Sequence, residues 1–257
     1  MKHLVIALAF VVILFSCDLG SKKINQIELK EIAIDTISKV ETLKNQITKT
    51  FVLGKFDYKN DASFVKINPP YASKELYLNK EVATAFMSLY TRAKADGIEL
   101  KIISGTRNFK EQKVIWERKW KKHKSLEPME RALQILEFSA MPGSSRHHWG
   151  TDIDINSLNN SYFHSGKGRK AYQWLKTHAN TFGFYQVYTT KDHSRTGYNT
   201  EEWHWSYLPL ASKYLDFYNA LVSEKDIKGF SGYEQAQKVM IIKNYVNGIS
   251  NRAKDYK

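Results

Sequence analysis

The sequence predicts an α+β domain: a small, mainly antiparallel sheet flanked by helices, with further helices at both ends. Three observations carry that expectation. Stretches with helical spacing of apolar residues are mixed with strand-like segments, and no regular βαβ alternation links them. Several of the strand-like segments are short. The composition, 42% hydrophobic and 13% aromatic over 257 residues, is that of a globular chain long enough for one sizeable core.

Residues 1–16 stand apart from that domain. Lys2 gives a short basic start, and Leu4 to Phe15 is an uninterrupted apolar run. The run is too short to span a bilayer and has the proportions of a signal-peptide core. It ends in Leu14-Phe-Ser-Cys17, which resembles the lipobox of bacterial lipoproteins, with Phe15 bulkier than the usual residue at its position. That resemblance implies cleavage before Cys17 and lipid on its sulfur, hence an exported, lipid-anchored protein of the bacterial cell envelope. Cys17 is the sole cysteine, so no disulfide forms within the chain. The formal charge is +13, and loss of residues 1–16 removes only Lys2, leaving +12. A basic surface suits anionic cell-wall polymer or lipid headgroups, while export argues against nucleic acid.

Residues 17–25 read as a polar tether and 26–60 as a helical extension, with apolar positions from Ile27 to Ile47 at mixed helical spacing. The main domain is expected over 61–225. Pro69-Pro70 marks a loop, and Asn79 caps a helix with Val82, Phe86, Leu89 and Ala93 on one face and Gly97 past its end. Glu99 to Ser104 is a short strand. Asn108 and Glu111 have capping-box spacing, so a helix runs from about Phe109 to Lys122, and the basic run Lys119 to Lys124 is expected in solvent. Pro128 to Phe138 is a helix carrying Leu133 and Leu136. After the loop Met141-Pro-Gly-Ser-Ser145, alternation over Thr151 to Asn156 puts Ile153 and Ile155 in the core, with Asp152, Asp154 and Asn156 on the opposite face. Gly168 to Phe182 is a helix ended by Gly183. Phe184 to Tyr188 and Trp203 to Tyr207 are strands, with a polar loop at 191–200 between them. Two helices follow, near Leu210–Val222 and Gly232–Val246, and 226–257 forms a C-terminal helical extension.

Two imidazoles and one carboxylate are the ligand set of a catalytic zinc that keeps a position open. His147, Asp154 and His204 offer that set from a loop and two strands, and Glu201 stands three residues before the last histidine, where a general base for water is needed. His148, Asp152 and Glu202 have the same chemistry, and spacing alone does not choose among them. The remaining histidines read as loop or helix-face residues. Arg107, at the start of the capped helix, is a candidate cation for a developing oxyanion. Gln112, among Phe109 and Trp116, is a polar group that needs a partner if buried.

Ser104-Gly-Thr-Arg107 with Gln112, then Ser145-Arg-His147 running to Gly150 and Asp154, then Glu201-Glu-Trp-His204, resemble the successive motifs of the D-alanyl-D-alanine carboxypeptidases. These are the VanY-like zinc peptidases, relatives of the D-Ala-D-Ala dipeptidases. The resemblance implies one zinc on His147, Asp154 and His204, Glu201 as base, Arg107 on the scissile carbonyl, and Gln112 and Ser145 as substrate-binding groups. It implies hydrolysis of the terminal D-alanine of peptidoglycan stem peptides. An endopeptidase or dipeptidase of the same fold, or a non-catalytic wall-binding lipoprotein, are the rivals. The chain departs from the family pattern at Thr106, where a tyrosine is usual, and at Asp152, where a small apolar residue is usual.

Overall fold

The structure, a computed structural model, describes residues 47–191 and 195–256. The signal, the tether with Cys17 and most of the N-terminal extension lie outside the described residues, as do His3 and His193. The unit that begins at Ile47 is described by itself.

Short strands form two antiparallel sheets. Strands β1 (Phe64–Ile67) and β2 (Leu76–Asn79) pair with Phe64 opposite Asn79. Strands β3 (Ile102–Ser104), β4 (Asp152–Ile155), β5 (Phe184–Gln186) and β6 (His204–Tyr207) make a four-stranded sheet in the order β3-β4-β6-β5. Each neighbouring pair is antiparallel, so β4 and β6 are the inner strands. As the alternation predicts, Ile153 and Ile155 are fully buried in the core. The other face of β4 is buried too, because it forms the floor of the site.

The helices follow from their caps. A turn of helix, α1 (Lys49–Val52), is capped by Thr48. Helix α2 (Lys80–Ala95) is capped by Asn79, whose Oδ1 accepts from the Glu81 amide at 2.9 Å. It buries Val82, Phe86, Leu89 and Ala93 and stops at Gly97, φ 72°. Helix α3 (Phe109–Lys122) begins with a complete Asn108–Glu111 capping box and turns Gln112 and Trp116 inward. Helix α4 (Pro128–Leu136) starts on a proline, which needs no amide partner there. It differs from expectation in rotation: Ala132, Ile135 and Leu136 face the core, while Leu133 is 45% exposed. Helix α5 (Gly166–His178) passes into a 3₁₀ turn that ends at Gly183, φ 81°. Helix α6 (Leu208–Leu221) follows β6 directly.

The second C-terminal helix expected over 232–246 is broken. It consists of α7 (Gln235–Lys238), a residue with positive φ at Met240, a π turn at Ile242–Val246, and then α8 (Asn251–Lys254). The cause is competition from side chains. Asn244 Nδ2 donates back to the Val239 carbonyl at 2.9 Å, and the Asn244 carbonyl accepts from Thr196 Oγ1 at 2.9 Å. Bonds to the polar loop before β6 thus replace helical ones. No helix among the described residues is long and apolar enough to cross a membrane.

Candidate metal and catalytic site

Three pieces of chain deliver the predicted ligands. Asp154 and His204 are direct cross-strand partners in the β4–β6 ladder. Facing residues in such a ladder hold their side chains on one side of the sheet. His147 arrives on the 3₁₀ turn Arg146–Trp149. That turn is tied at three points: Arg107 N donates to the His147 carbonyl at 3.1 Å, Trp149 Nε1 donates to Val52 O at 3.0 Å, and the chain leaves it at Gly150 with φ 70°. A Cβ on Gly150 would lie 2.3 Å from Phe64 Cε1, so this crossing takes only glycine.

The nitrogens that face the site are set by what holds the opposite side of each ring. His147 Nδ1 is 2.9 Å from the Gly105 carbonyl and donates to it, which leaves Nε2, 3.5 Å from Asp154 Oδ1, as the free nitrogen. His204 Nε2 is 2.8 Å from Asp152 Oδ2, and its Nδ1 faces Asp154 Oδ1 at 3.2 Å and Glu201 Oε2 at 3.4 Å. The two rings meet edge to face, 4.9 Å between centroids.

Burial, reinforced by the Arg107 charge, keeps the His147 pKa below the ordinary imidazole range, so the ring is neutral. Burial opposes charge on His204 as well, but the carboxylates of Asp152, Asp154 and Glu201 outweigh it and hold that pKa well above the ordinary range. Against the cost of burial, His147 and His204 keep the Asp154 carboxyl far below the usual carboxylate range. Burial raises Glu201, with His204 opposing, toward the range a general base needs.

These residues suit a zinc ion. One ligand atom from each of His147, Asp154 and His204 lies within 4.8 Å of the others, and all three side chains are buried. Asp154 Oδ1 is buried and makes no hydrogen bond, a costly state for a carboxylate oxygen that a cation relieves.

The rival residues have other employment. His148 Nδ1 donates to the Arg107 carbonyl at 2.6 Å and its Nε2 accepts from the Gly143 amide at 3.0 Å. Burial brings its pKa down to about 3, and it serves as a neutral loop clamp. The Glu202 carboxylate turns to His164, 3.0 Å away. Asp152 is saturated by protein: Arg146 Nε at 3.0 Å, Thr151 Oγ1 at 2.7 Å, Ser206 Oγ at 2.8 Å and His204 Nε2. It holds His204 from behind, as the outer carboxylate does in many metal centres.

Arg107 lies 4.0 Å from Asp154 Oδ2, its Nη1 donates to Ser104 Oγ, and its Nε donates to Gln112 Oε1 at 3.0 Å. Gln112 is buried and its Nε2 donates to the Ala140 carbonyl at 2.8 Å, so both ends of the amide are engaged by the protein. Its partner is Arg107, which it orients. Thr106 donates to the Tyr77 carbonyl at 2.6 Å and does not line the cavity. Ser145 does, and so do Arg107, Gln112, Glu201 and the three candidate ligands, around a volume of about 570 Å³.

With the geometry in hand, comparison with known proteins is direct. The family model described as VanY, D-alanyl-D-alanine carboxypeptidase, matches residues 75–210, just over half of the chain. The chain belongs to this family. It is a zinc peptidase of the D-alanyl-D-alanine carboxypeptidase type. Among curated proteins it is similar to the putative carboxypeptidase YodJ of Bacillus subtilis, 28% identical over 194 residues, 74% of this chain and 68% of that one. It is similar to a D-alanyl-D-alanine carboxypeptidase of Enterococcus faecalis, 27% identical over 146 residues, and there it spans 53% of the relative's length and 56% of its own. Among solved structures it is similar to VanYB in complex with D-alanine-D-alanine, at 23% identity and a TM-score of 0.49, covering 66% of this chain and 91% of that one. The VanY match spans every sequence-predicted site residue except Cys17.

Three residues at the VanY-type site escaped sequence reasoning as functional groups. Tyr188 packs its ring 4.7 Å from that of His204. Trp203 and Lys119 line the cavity. Tyr188 and Trp203 carried no signal beyond being aromatic. Lys119 did: it stands seven residues, two helical turns, after Gln112.

Proposed function

We propose that this chain hydrolyses the terminal D-alanine from peptidoglycan stem peptides, with Glu201 as general base. The observation that supports this most is the Asp154–His204 cross-strand pair, with His147 against it and Glu201 Oε2 3.4 Å from His204 Nδ1. When bound by His147, Asp154 and His204, zinc supplies a Lewis acid that polarises a carbonyl and acidifies water to a pKa of about 7. Glu201 takes one proton from the attacking water as the new C–O bond forms. It then gives that proton to the departing amine as the C–N bond breaks. Arg107, held at Nε by Gln112 and at Nη1 by Ser104, presents its guanidinium to the charge that builds on the carbonyl oxygen. Ser145 contacts the substrate from the cavity wall, and Gln112 acts on it through Arg107. We further propose that lipid on Cys17 holds the enzyme in the bacterial cell envelope beside that substrate, a reading supported by the sequence of residues 1–17.

The test is mass analysis of defined stem pentapeptides incubated with the purified, zinc-loaded full chain in detergent. Release of a single D-alanine is expected; release of a dipeptide or an internal cut would replace this reading with the dipeptidase or endopeptidase one. Glu201→Gln is expected to lower kcat by about 10²–10⁴-fold with zinc content unchanged. Undiminished turnover in that variant would remove Glu201 from its role.

A further inference from the structure

The cavity extends well beyond the metal centre, and its lining carries more cationic than acidic side chains. Its acidic lining residues are Asp154 and Glu201, both at the metal end beside His204. Arg118 and Lys119 of α3 also line the wall, and neither makes a close ion pair among the described residues, although Glu201 lies near enough to attract the Lys119 charge. Gln112, Ile115 and Lys119 recur at helical spacing, so one face of α3 runs along the cavity. Lys119 is half-buried there, not in solvent with the rest of its basic run. Its Nζ donates to the hydroxyl of Ser139, the neighbour of Ala140, whose carbonyl anchors Gln112. The same two-residue loop thus fixes both Lys119 and, through Gln112, Arg107. A half-buried ammonium whose close partner is a hydroxyl has lost hydration without a contacting counter-charge; Glu201 attracts it only from a distance. Burial, with Arg118 beside it and Glu201 opposing, leaves the Lys119 pKa below the ordinary lysine range.

We infer that Lys119, with Arg118 at the rim, forms a subsite for a carboxylate of the substrate. This rests on the peptidase reading above. Seven residues of helix place Lys119 about 10 Å along the axis from Gln112. That is about three residues of extended peptide, so a short stem peptide reaches from the metal end to the ammonium. The side-chain carboxylate of an acidic residue about three positions from the metal end fits this reach; the free terminus, one residue past the cut in the proposed reaction, falls nearer the metal and is the alternative that the test separates. Phe138, next in the chain to Ser139, and Trp203, 6.1 Å from it, add an apolar stretch to the same wall.

The test compares wild type, Lys119→Met and Lys119→Arg on three stem peptides: unmodified, amidated at the terminal carboxylate, and amidated at the side-chain carboxylate. Lys119→Met is expected to raise KM roughly 10- to 100-fold on the unmodified peptide with kcat little changed, the size of one charged hydrogen bond. Lys119→Arg is expected to restore most of that loss. The loss should vanish on whichever amidated peptide lacks the carboxylate that Lys119 holds, which identifies the source. Equal loss on all three peptides, or no loss on any, overturns the subsite. Calorimetric binding of the same peptides to the same proteins separates the two proposals. If wild type cuts none of them, the peptidase reading falls, and the subsite stands or falls on whether Lys119→Met weakens binding only of peptides with the free carboxylate.

Discussion

Asp152 shows how one side chain decides what its neighbour can do. Its two oxygens take bonds from Arg146, Thr151, Ser206 and His204, all inside the protein. The bond to His204 Nε2 fixes which ring nitrogen faces the cavity. Asp152→Asn is expected to weaken zinc binding by about 10–100-fold, read by competition with a chelator of known affinity. Affinity within twofold of wild type would show that His204 keeps its orientation unaided. Alternation along β4 already puts Asp152 on the face of Asp154, so its presence at the site is legible in the sequence. Its role is not, because Arg146 and Ser206 reach it from six and 54 positions away. That His147, Asp154, Glu201 and His204 come together is legible through the order and spacing of three motifs. His148 and Glu202 are engaged by partners such as Gly143 and His164, which no local pattern reveals.

At the scale of elements, local chemistry is readable where it is self-contained. Helix α3 has the bounds its capping box predicts, because both halves of the box lie within four residues. Strands β1 and β2 have no such signal; four residues each, they exist because they pair with one another and pack beneath α2. The broken C-terminal helix fails for the opposite reason: Thr196 competes from a distant loop for a carbonyl the helix would use. Gly150 is the element-scale position with most at stake. Its φ is 70°, its missing Cβ makes room for Phe64, and its carbonyl accepts from the Asn79 amide that opens α2 at 3.1 Å. Gly150→Ala is expected to destabilise the fold by about 1–3 kcal/mol, seen as a lower urea midpoint with unchanged slope. A midpoint equal to wild type would mean that the Arg146–Trp149 turn relaxes without strain.

For the molecule as a whole, a metal held by His147, Asp154 and His204 would join segments far apart in sequence: the 3₁₀ turn carrying His147 and the inner strands of the sheet. An ion bound only by the folded state stabilises it by about 2.7 kcal/mol at a hundredfold excess over Kd. For a domain of this size that is roughly 5–10 °C in Tm. Chelation is expected to lower Tm by about that amount, and His147→Ala should melt at the same temperature with or without zinc. A Tm indifferent to chelator in the wild type would contradict a bound structural role for the ion.

The ladder that sets Asp154 opposite His204 belongs to β4 and β6, each flanked by another strand on its far side. The spacing of those two donors is therefore dictated by backbone hydrogen bonding, which persists whether or not an ion is present. Demetallated enzyme is then a mould rather than a melt. Returning zinc should revive it within the dead time of mixing, and cobalt substituted for zinc should inherit the same coordination and report it in its visible spectrum.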